Sequence, residues 1–345
     1  MKKVFKYVLL ILFFSLTILF FNQSLVEART IRTIETIEEL KEAFKDKATI
    51  EGNAIKLIDN VTLNERLLDI EISELIIDFN GKTIECKEEG AINVCNKITF
   101  KDSSTTNRSS WGGIIFSSSF ESIEVKEGAE LIINNGKFVD SGTDTFGMLL
   151  VMGKLTIDDA TFSTNRTESK EYYPNTMIVL RENSEAVIHK GDFSHVDTII
   201  DVSPSNPYKN NCKLTINGGS FKTIGKMPGT IQITSLYPYV DENNNKTIIK
   251  PTIVLNNCYV ENYYIALDFC GGSTDEAFKN ADTGIITILG GTYKCLEKGI
   301  AAFEISTHLS PFTYFNPKDF VLKNGTFESL NAGGAAFRLD GPMKR

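Results

Sequence analysis

The sequence predicts an all-β fold, a single-stranded right-handed parallel β-helix (a solenoid) with a short N-terminal capping helix. Three observations predict it: a short phrase that returns along the chain, the uneven spacing of its copies, and a helix-start signal ahead of them. The phrase is apolar-x-apolar, two turn-type residues, one small or polar residue, then Phe, Tyr or Ile. It reads LIINNGKF at Leu131–Phe138, LTIDDATF at Leu155–Phe162, AVIHKGDF at Ala186–Phe193 and LTINGGSF at Leu214–Phe221. IVLNNCYV at Ile253–Val260, ITILGGTY at Ile286–Tyr293 and FVLKNGTF at Phe320–Phe327 continue it. IDFNGKTI at Ile77–Ile84 fits the same frame, and ITFKDSS from Ile98 matches its first half.

Each copy holds a three-residue strand with two inward apolar positions, such as Leu214 and Ile216, around an outward Thr215. A two-residue corner follows, Asn217-Gly218 in that copy, where both residue types tolerate positive φ. The aromatic residue then opens a second short strand. Successive copies start 21 to 39 residues apart. A step near 21 suits one coil of three short strands, and longer steps are coils with a loop inserted at a corner. Leucine-rich repeats would need an Asn-bearing consensus and a helical back, and a transmembrane barrel needs strands of roughly ten alternating residues; neither is present. Thr36-Ile37-Glu38-Glu39 is a capping box leading into LKEAF, which predicts a helix over Ile37–Phe44 that covers the first coil.

At the N-terminus, Lys2, Lys3 and Lys6 precede an apolar run from Val8 to Phe21, and Val26-Glu27-Ala28 supplies cleavage-type residues. This reads as a secretory signal peptide cut after Ala28. The alternative is an uncleaved anchor, but an apolar core of about 14 residues falls short of the ~20 that a spanning helix wants. The chain thus divides into a signal peptide (1–28), an N-terminal cap with its helix (29–50) and a parallel β-helix (51–345), and the mature protein is expected to be extracellular. No covalent or membrane anchoring and no stable membrane insertion after cleavage are expected, and AAFRLDGPMKR ends the chain without an evident cap, leaving an open coil, a shortened chain or a covering partner as readings.

The whole chain carries net charge −8; losing residues 1–28 removes three Lys and Glu27, a net +2, which leaves −10. With no Lys/Arg cluster, this argues against nucleic acid as a partner and disfavours polyanionic ligands unless Ca²⁺ mediates. Secretion makes disulfides possible among Cys86, Cys95, Cys212, Cys258, Cys270 and Cys295, while the other reading makes them small buried hydrophobes. No CxxC spacing supports zinc or redox chemistry. Asn-x-Ser/Thr tripeptides at Asn60, Asn107, Asn165, Asn245 and Asn324 read as turns.

The repeats GKLTIDDATF and CKLTINGGSF, the stretch ITFKDSSTTNRSSWGGIIF, and the opening TIEELKEAF, AIKLIDNVTL, LIIDFNGKTI together resemble secreted bacterial β-helix proteins of the pectate-lyase-like superfamily, over roughly residues 36 to 339. The resemblance implies the fold. It leaves the function open, because that fold hosts lyases, hydrolases, esterases, adhesins and passive stalks.

Motifs for catalysis are missing. The single Asp-Asp pair, Asp158-Asp159, occupies a corner position and reads as a turn rather than as the paired acids of a glycosidase. The Gly-His-Gly and Arg-x-Lys strings of polygalacturonase-like enzymes and the Arg-centred motifs of pectate lyases are absent. Asp192, Asp197 and Asp201 lie near the Arg181–Lys190 segment, a weak candidate for a Ca²⁺-assisted lyase site if adjacent coils bring them together. His189, His195 and His308 have no partner placed by spacing, and no nucleophile elbow exists. No catalytic residue, metal ligand or cofactor is therefore assigned, with Ca²⁺ reserved for the lyase alternative.

Binding has the better case. Long inserts follow Phe162, Phe221 and Tyr293, and they carry Tyr172-Tyr173 and Tyr237-Pro-Tyr239; Trp111 stands beside Gly112-Gly113. Exposed rings of this kind stack on sugars or anchor partners, and the other reading has them folding back over coil edges. The sequence-level expectation is an extracellular binding or surface-interaction protein, such as an adhesin, with a carbohydrate or cell-surface ligand held by Trp111, Tyr172, Tyr173, Tyr237 and Tyr239. The alternatives are a polysaccharide-cleaving enzyme, lyase or glycoside hydrolase, and a structural stalk fragment.

Overall fold

The computed structural model describes residues 32–63, 68–87, 92–117, 123–142, 147–167, 176–203, 211–225, 229–234, 239–240, 246–247, 251–270, 284–296, 301–306, 317–330 and 334–340. The leader predicted over 1–28 lies outside them. Short strands stack into three long sheets of 11, 11 and 10 strands, here called A, B and C. The chain visits them in turn, so each coil contributes one strand to each. One coil, for example, runs through Gly147–Val151 in A, Lys154–Ile157 in B and Thr161–Thr164 in C. Every pairing between coils is parallel; the first two strands of sheet B, Ala48–Glu51 and Ala54–Leu57, pair antiparallel. This is the predicted parallel β-helix.

The repeat phrase occupies sheets B and C. Leu131, Leu155, Ala186, Leu214, Ile253 and Ile286 stand in one register, and all are buried. Ile157 and Ile216 are fully buried while Thr156 and Thr215 face outward, as alternation demands. In sheet C the aromatic position forms a column. Phe138, Phe162, Phe193 and Phe221 stack face to face, with centroids 4.6 to 5.1 Å apart. Parallel in-register pairing imposes this, since like positions repeat every strand at ~4.8 Å. Tyr293 continues the column; its hydroxyl, deep in the core, donates to the Gly290 carbonyl at 2.9 Å and lies 3.4 Å from Cys258 Sγ. Burial pushes that phenol well above its ordinary range.

Two details of the frame differ from the sequence reading. The corner has three residues rather than two, and in the Leu214–Phe221 copy the positive φ falls on Gly219, not on Asn217 or Gly218. The reason is crowding: a Cβ on Gly219 would lie 3.0 Å from the Gly191 carbonyl one coil away. The first copy also starts at Leu75 rather than Ile77, because Leu75 registers with Ile98 and Ile77 with Phe100. Its corner carries two extra residues and tucks Phe79 into the core. The Ile98 copy resumes at Gly113–Phe116 after the intervening loop, in register with Thr83–Cys86 and Lys137–Asp140.

The helix forms over Ile37–Ala43, with Phe44 as its C-cap. Thr36 Oγ1 accepts from Glu39 N–H, and Glu39 Oε2 accepts from the N–H groups of Thr36 and Glu35. Those two backbone bonds hold the Glu39 carboxyl below its ordinary value. Leu40, Ala43 and Phe44 are buried in the same core as Ile34, Ala48 and Ile55, so the helix closes the first coil.

The five cysteines whose side chains are described, Cys86, Cys95, Cys212, Cys258 and Cys295, are free thiols, and all but Cys95 are buried. Burial pushes the Cys86 thiol up to about 12 and those of Cys212 and Cys258 to about 11. They act as small core residues, and the Cys270 side chain lies outside the description.

Candidate functional site

The chemically richest surface is the outward side of sheet A. Leu150, Val179, Asp201, Gln232, Asp268, Glu304 and Arg338 form one outward row in unbroken register. Apolar residues floor one end and acids the other. Within this row Val179 is 1% exposed. Glu304 is also fully buried, with Arg338 Nη1 3.7 Å from its Oε1, and Asp268 is 9% exposed. Asp201 and Gln232 stay partly exposed in the middle of the row. A carboxylate out of water is costly unless it is paired or hydrogen-bonded, so two of them on neighbouring strands mark a place where the sheet is more than a wall. Connections 203–212, 235–251, 271–284 and 307–319 link the ends of sheet A strands to the next strands of sheet B.

A second polar feature adjoins sheet A at the corner from sheet C. The inward position two residues after the aromatic column reads Phe116, Asp140, Thr164, His195, Thr223, Asn262, Cys295 and Ser329. Polar residues thus replace the core over five consecutive coils. His195 Nδ1 accepts the Asp197 N–H at 3.1 Å, which places the ring proton on Nε2, and Nε2 donates to Asp140 Oδ2 at 3.2 Å. Arg166 reaches both carboxylates, 3.9 Å from Asp140 and 3.7 Å from Asp197. The chain of bonds continues from Thr223 Oγ1 to the Asp197 carbonyl, from Thr230 Oγ1 to Thr223, and from Asn262 Nδ2 to Thr230. Asn262 Oδ1 then accepts from the N–H groups of Tyr264 and Ile265. With the ring, guanidinium and both carboxylates this deeply buried, the network fixes how each chain segment enters sheet A.

On the opposite corner, between sheets B and C, the loop 102–112 is pinned by Asp102. Its carboxylate accepts from the N–H groups of Gly81 and Gly112, both at 2.7 Å, and from the Ser104 N–H and hydroxyl. Burial works to raise its pKa, but these bonds outweigh burial and hold the carboxyl below its ordinary value. Arg108 then spans coils, chelating Asp159 at 2.6 and 2.7 Å and reaching Asp192.

Of the predicted ligand-binding residues, the structure describes the side chain of Trp111 alone. Trp111 is only 8% exposed; its indole N–H donates to the Thr105 carbonyl at 3.0 Å and Arg108 lies over its ring. Tyr172, Tyr173 and Tyr237 lie outside the described residues. Tyr239 sits in a short strand paired antiparallel with Lys246–Thr247, and its ring lies outside the description. Asp192, Asp197 and Asp201 do not converge: the first meets Arg108, the second meets Arg166, and the third stands on the outer face of sheet A. Asp159 serves the corner through Arg108 and Lys190. Among the described residues, no three His, Cys, Asp or Glu side chains are grouped to hold a metal ion.

The His195–Asp140–Arg166 network escaped the sequence reading, although a signal existed. F-x-D, F-x-T, F-x-H and F-x-T recur at inward positions where the solenoid otherwise keeps apolar side chains. Protein-family profiles, characterised proteins and solved structures return no match to this chain.

Proposed function

We propose that the protein is a secreted β-helix that binds carbohydrate, on a cell or matrix surface, along the outer side of sheet A. The observation that carries this reading is the outward row in which Asp201, Gln232 and Arg338 stay partly exposed around the buried Asp268 and Glu304, aligning acceptors and donors along a rigid sheet. Carboxylate, amide and guanidinium groups ~4.8 Å apart suit the hydroxyls of an extended glycan. The acidic row and the net charge of −8 favour a neutral or amino sugar over a polyanion. The resemblance of the repeats to the pectate-lyase-like superfamily agrees with a glycan ligand.

The test is calorimetric titration with neutral, amino-sugar and uronate oligosaccharides, on the protein and on Asp201→Ala and Gln232→Ala. Affinity for a non-uronate glycan, lowered about tenfold by either substitution, is expected. Failure to bind any of them would remove the proposal.

A second reading, a polysaccharide-cleaving enzyme, is favoured by one observation: Asp268 and Glu304 are register partners on adjacent strands. A pair of acids is the residue set that glycoside cleavage uses. Release of new reducing ends, abolished by Asp268→Asn, would favour this reading over simple binding.

A further inference from the structure

The outer side of sheet B differs in kind from that of sheet A. Its first outward row is Glu74, Lys97, Glu130, Lys154, Glu185 and Lys213, a strict alternation of charge through six consecutive strands. The second row is β-branched throughout, Ile76, Thr99, Ile132, Thr156, Val187 and Thr215, and every member is partly exposed. Apart from the loop 102–112 and the connection 203–212 at its last strand, the corners bordering this stretch are short.

Alternation has an obvious use within the chain, since opposite charges on neighbouring strands attract. That use is realised once: Lys97 Nζ lies 3.1 Å from Glu74, and this pair raises the Lys97 pKa. Among these described residues, no other neighbouring pair of the ladder closes to an ion pair. A shorter alternation on sheet C, Lys222, Glu261, Lys294 and Glu328, is partly engaged within the chain. There Tyr259 donates to Glu261 and Lys222 lies over the Tyr259 ring.

We propose that sheet B docks against sheet B of a second copy in an antiparallel dimer. An even-numbered alternating series is complementary to its own reverse. A two-fold axis along the strand direction, placed between the strands Glu130–Ile133 and Lys154–Ile157, keeps the rows aligned and reverses their order. It sets Glu74 against the second copy's Lys213, Lys97 against Glu185, and Glu130 against Lys154. Every facing pair is then opposite in charge, and in the β-branched row each Ile or Val meets a Thr of the second copy. The parallel arrangement would set each charge against itself. Six strands at ~4.8 Å give a face of only ~29 Å, smaller than a standard interface, so the dimer is weak and concentration-dependent.

Sedimentation velocity of the purified protein at concentrations up to about 100 μM is the test, a range that reaches micromolar dimers. Wild type is expected to dimerise reversibly. Lys154→Glu places like charges together twice per dimer and is expected to weaken association at least about tenfold. The double variant Glu130→Lys/Lys154→Glu separates the two uses of the ladder. It restores every pair across the dimer but creates like neighbours within the chain, at positions 97/130 and 154/185. Recovery of the dimer in the double variant supports the proposal. A wild type that stays monomeric, an unaffected Lys154→Glu dimer, or a double variant that remains monomeric with a lowered melting temperature would overturn it.

Discussion

Sheets A and B are built from the same coils and carry the same kind of inward ladder, yet their outer sides have diverged. On sheet B the outward residues are β-branched or alternately charged and reach solvent. On sheet A the outward row includes Val179 and Glu304, both buried, and Asp268, 9% exposed. A solenoid's stability comes from coil-to-coil contacts inside, so its outer faces are free to specialise. Burial of outward side chains is the mark of a face that does something besides close the coil. The comparison yields predictions that run from the inside of the wall to its outside.

The largest effect belongs to the interior. Ile216→Asp would bury an unpaired carboxylate in the inward ladder of sheet B and is expected to cost about 4 kcal/mol, read as a large drop in thermal midpoint. Val179→Lys changes an outward residue, but a buried one, and should cost about 3 kcal/mol. A loss no larger than that of an ordinary surface substitution would show the outer side of sheet A to be open.

Arg166→Met should cost about 3 kcal/mol, because it leaves the Asp140 and Asp197 carboxylates buried beside one another without the cation that bridges them. Chemical denaturation with a two-state fit would measure it.

Asp102→Asn tests the opposite corner and carries a pH signature. The native carboxyl titrates below its ordinary value of 3.8, so its extra stabilisation is fully present above that pH and is lost as pH falls through the lowered native value. The variant should be less stable than wild type by about 1–2 kcal/mol at neutral pH, and the gap should close only below pH 3.8. Melting curves between neutrality and strong acid would show it. The smallest effect is expected at Thr215→Lys, on the bare face, within about 0.5 kcal/mol of wild type.

Much of the wall was legible in the sequence. LTINGGSF states its alternation and its corner within eight residues, and Thr36 with Glu39 states the helix start. The strands of sheet A were harder to read because no constant Gly-bearing corner punctuates them and their spacing varies with the connections around them. The register of the first copy slipped by two residues because Phe79 enters the core from inside a longer corner. The alternating Glu and Lys stand in plain view before each apolar phrase, in ELII, KLTI, EAVI and KLTI. Only the register shows that they share one row. The buried acids of sheet A carried no sequence signal at all, since an Asp or Glu in an outward position reads as ordinary surface.

The most direct test of the contrast between the two faces is site-resolved thiol labelling of the native protein, followed by mass spectrometry. Val187→Cys lies on the outer side of sheet B and Val179→Cys on that of sheet A, while the native thiols provide internal references. Val187→Cys is expected to label rapidly under native conditions, and Val179→Cys only after denaturant opens the structure. Equal native labelling rates at the two positions would contradict the account.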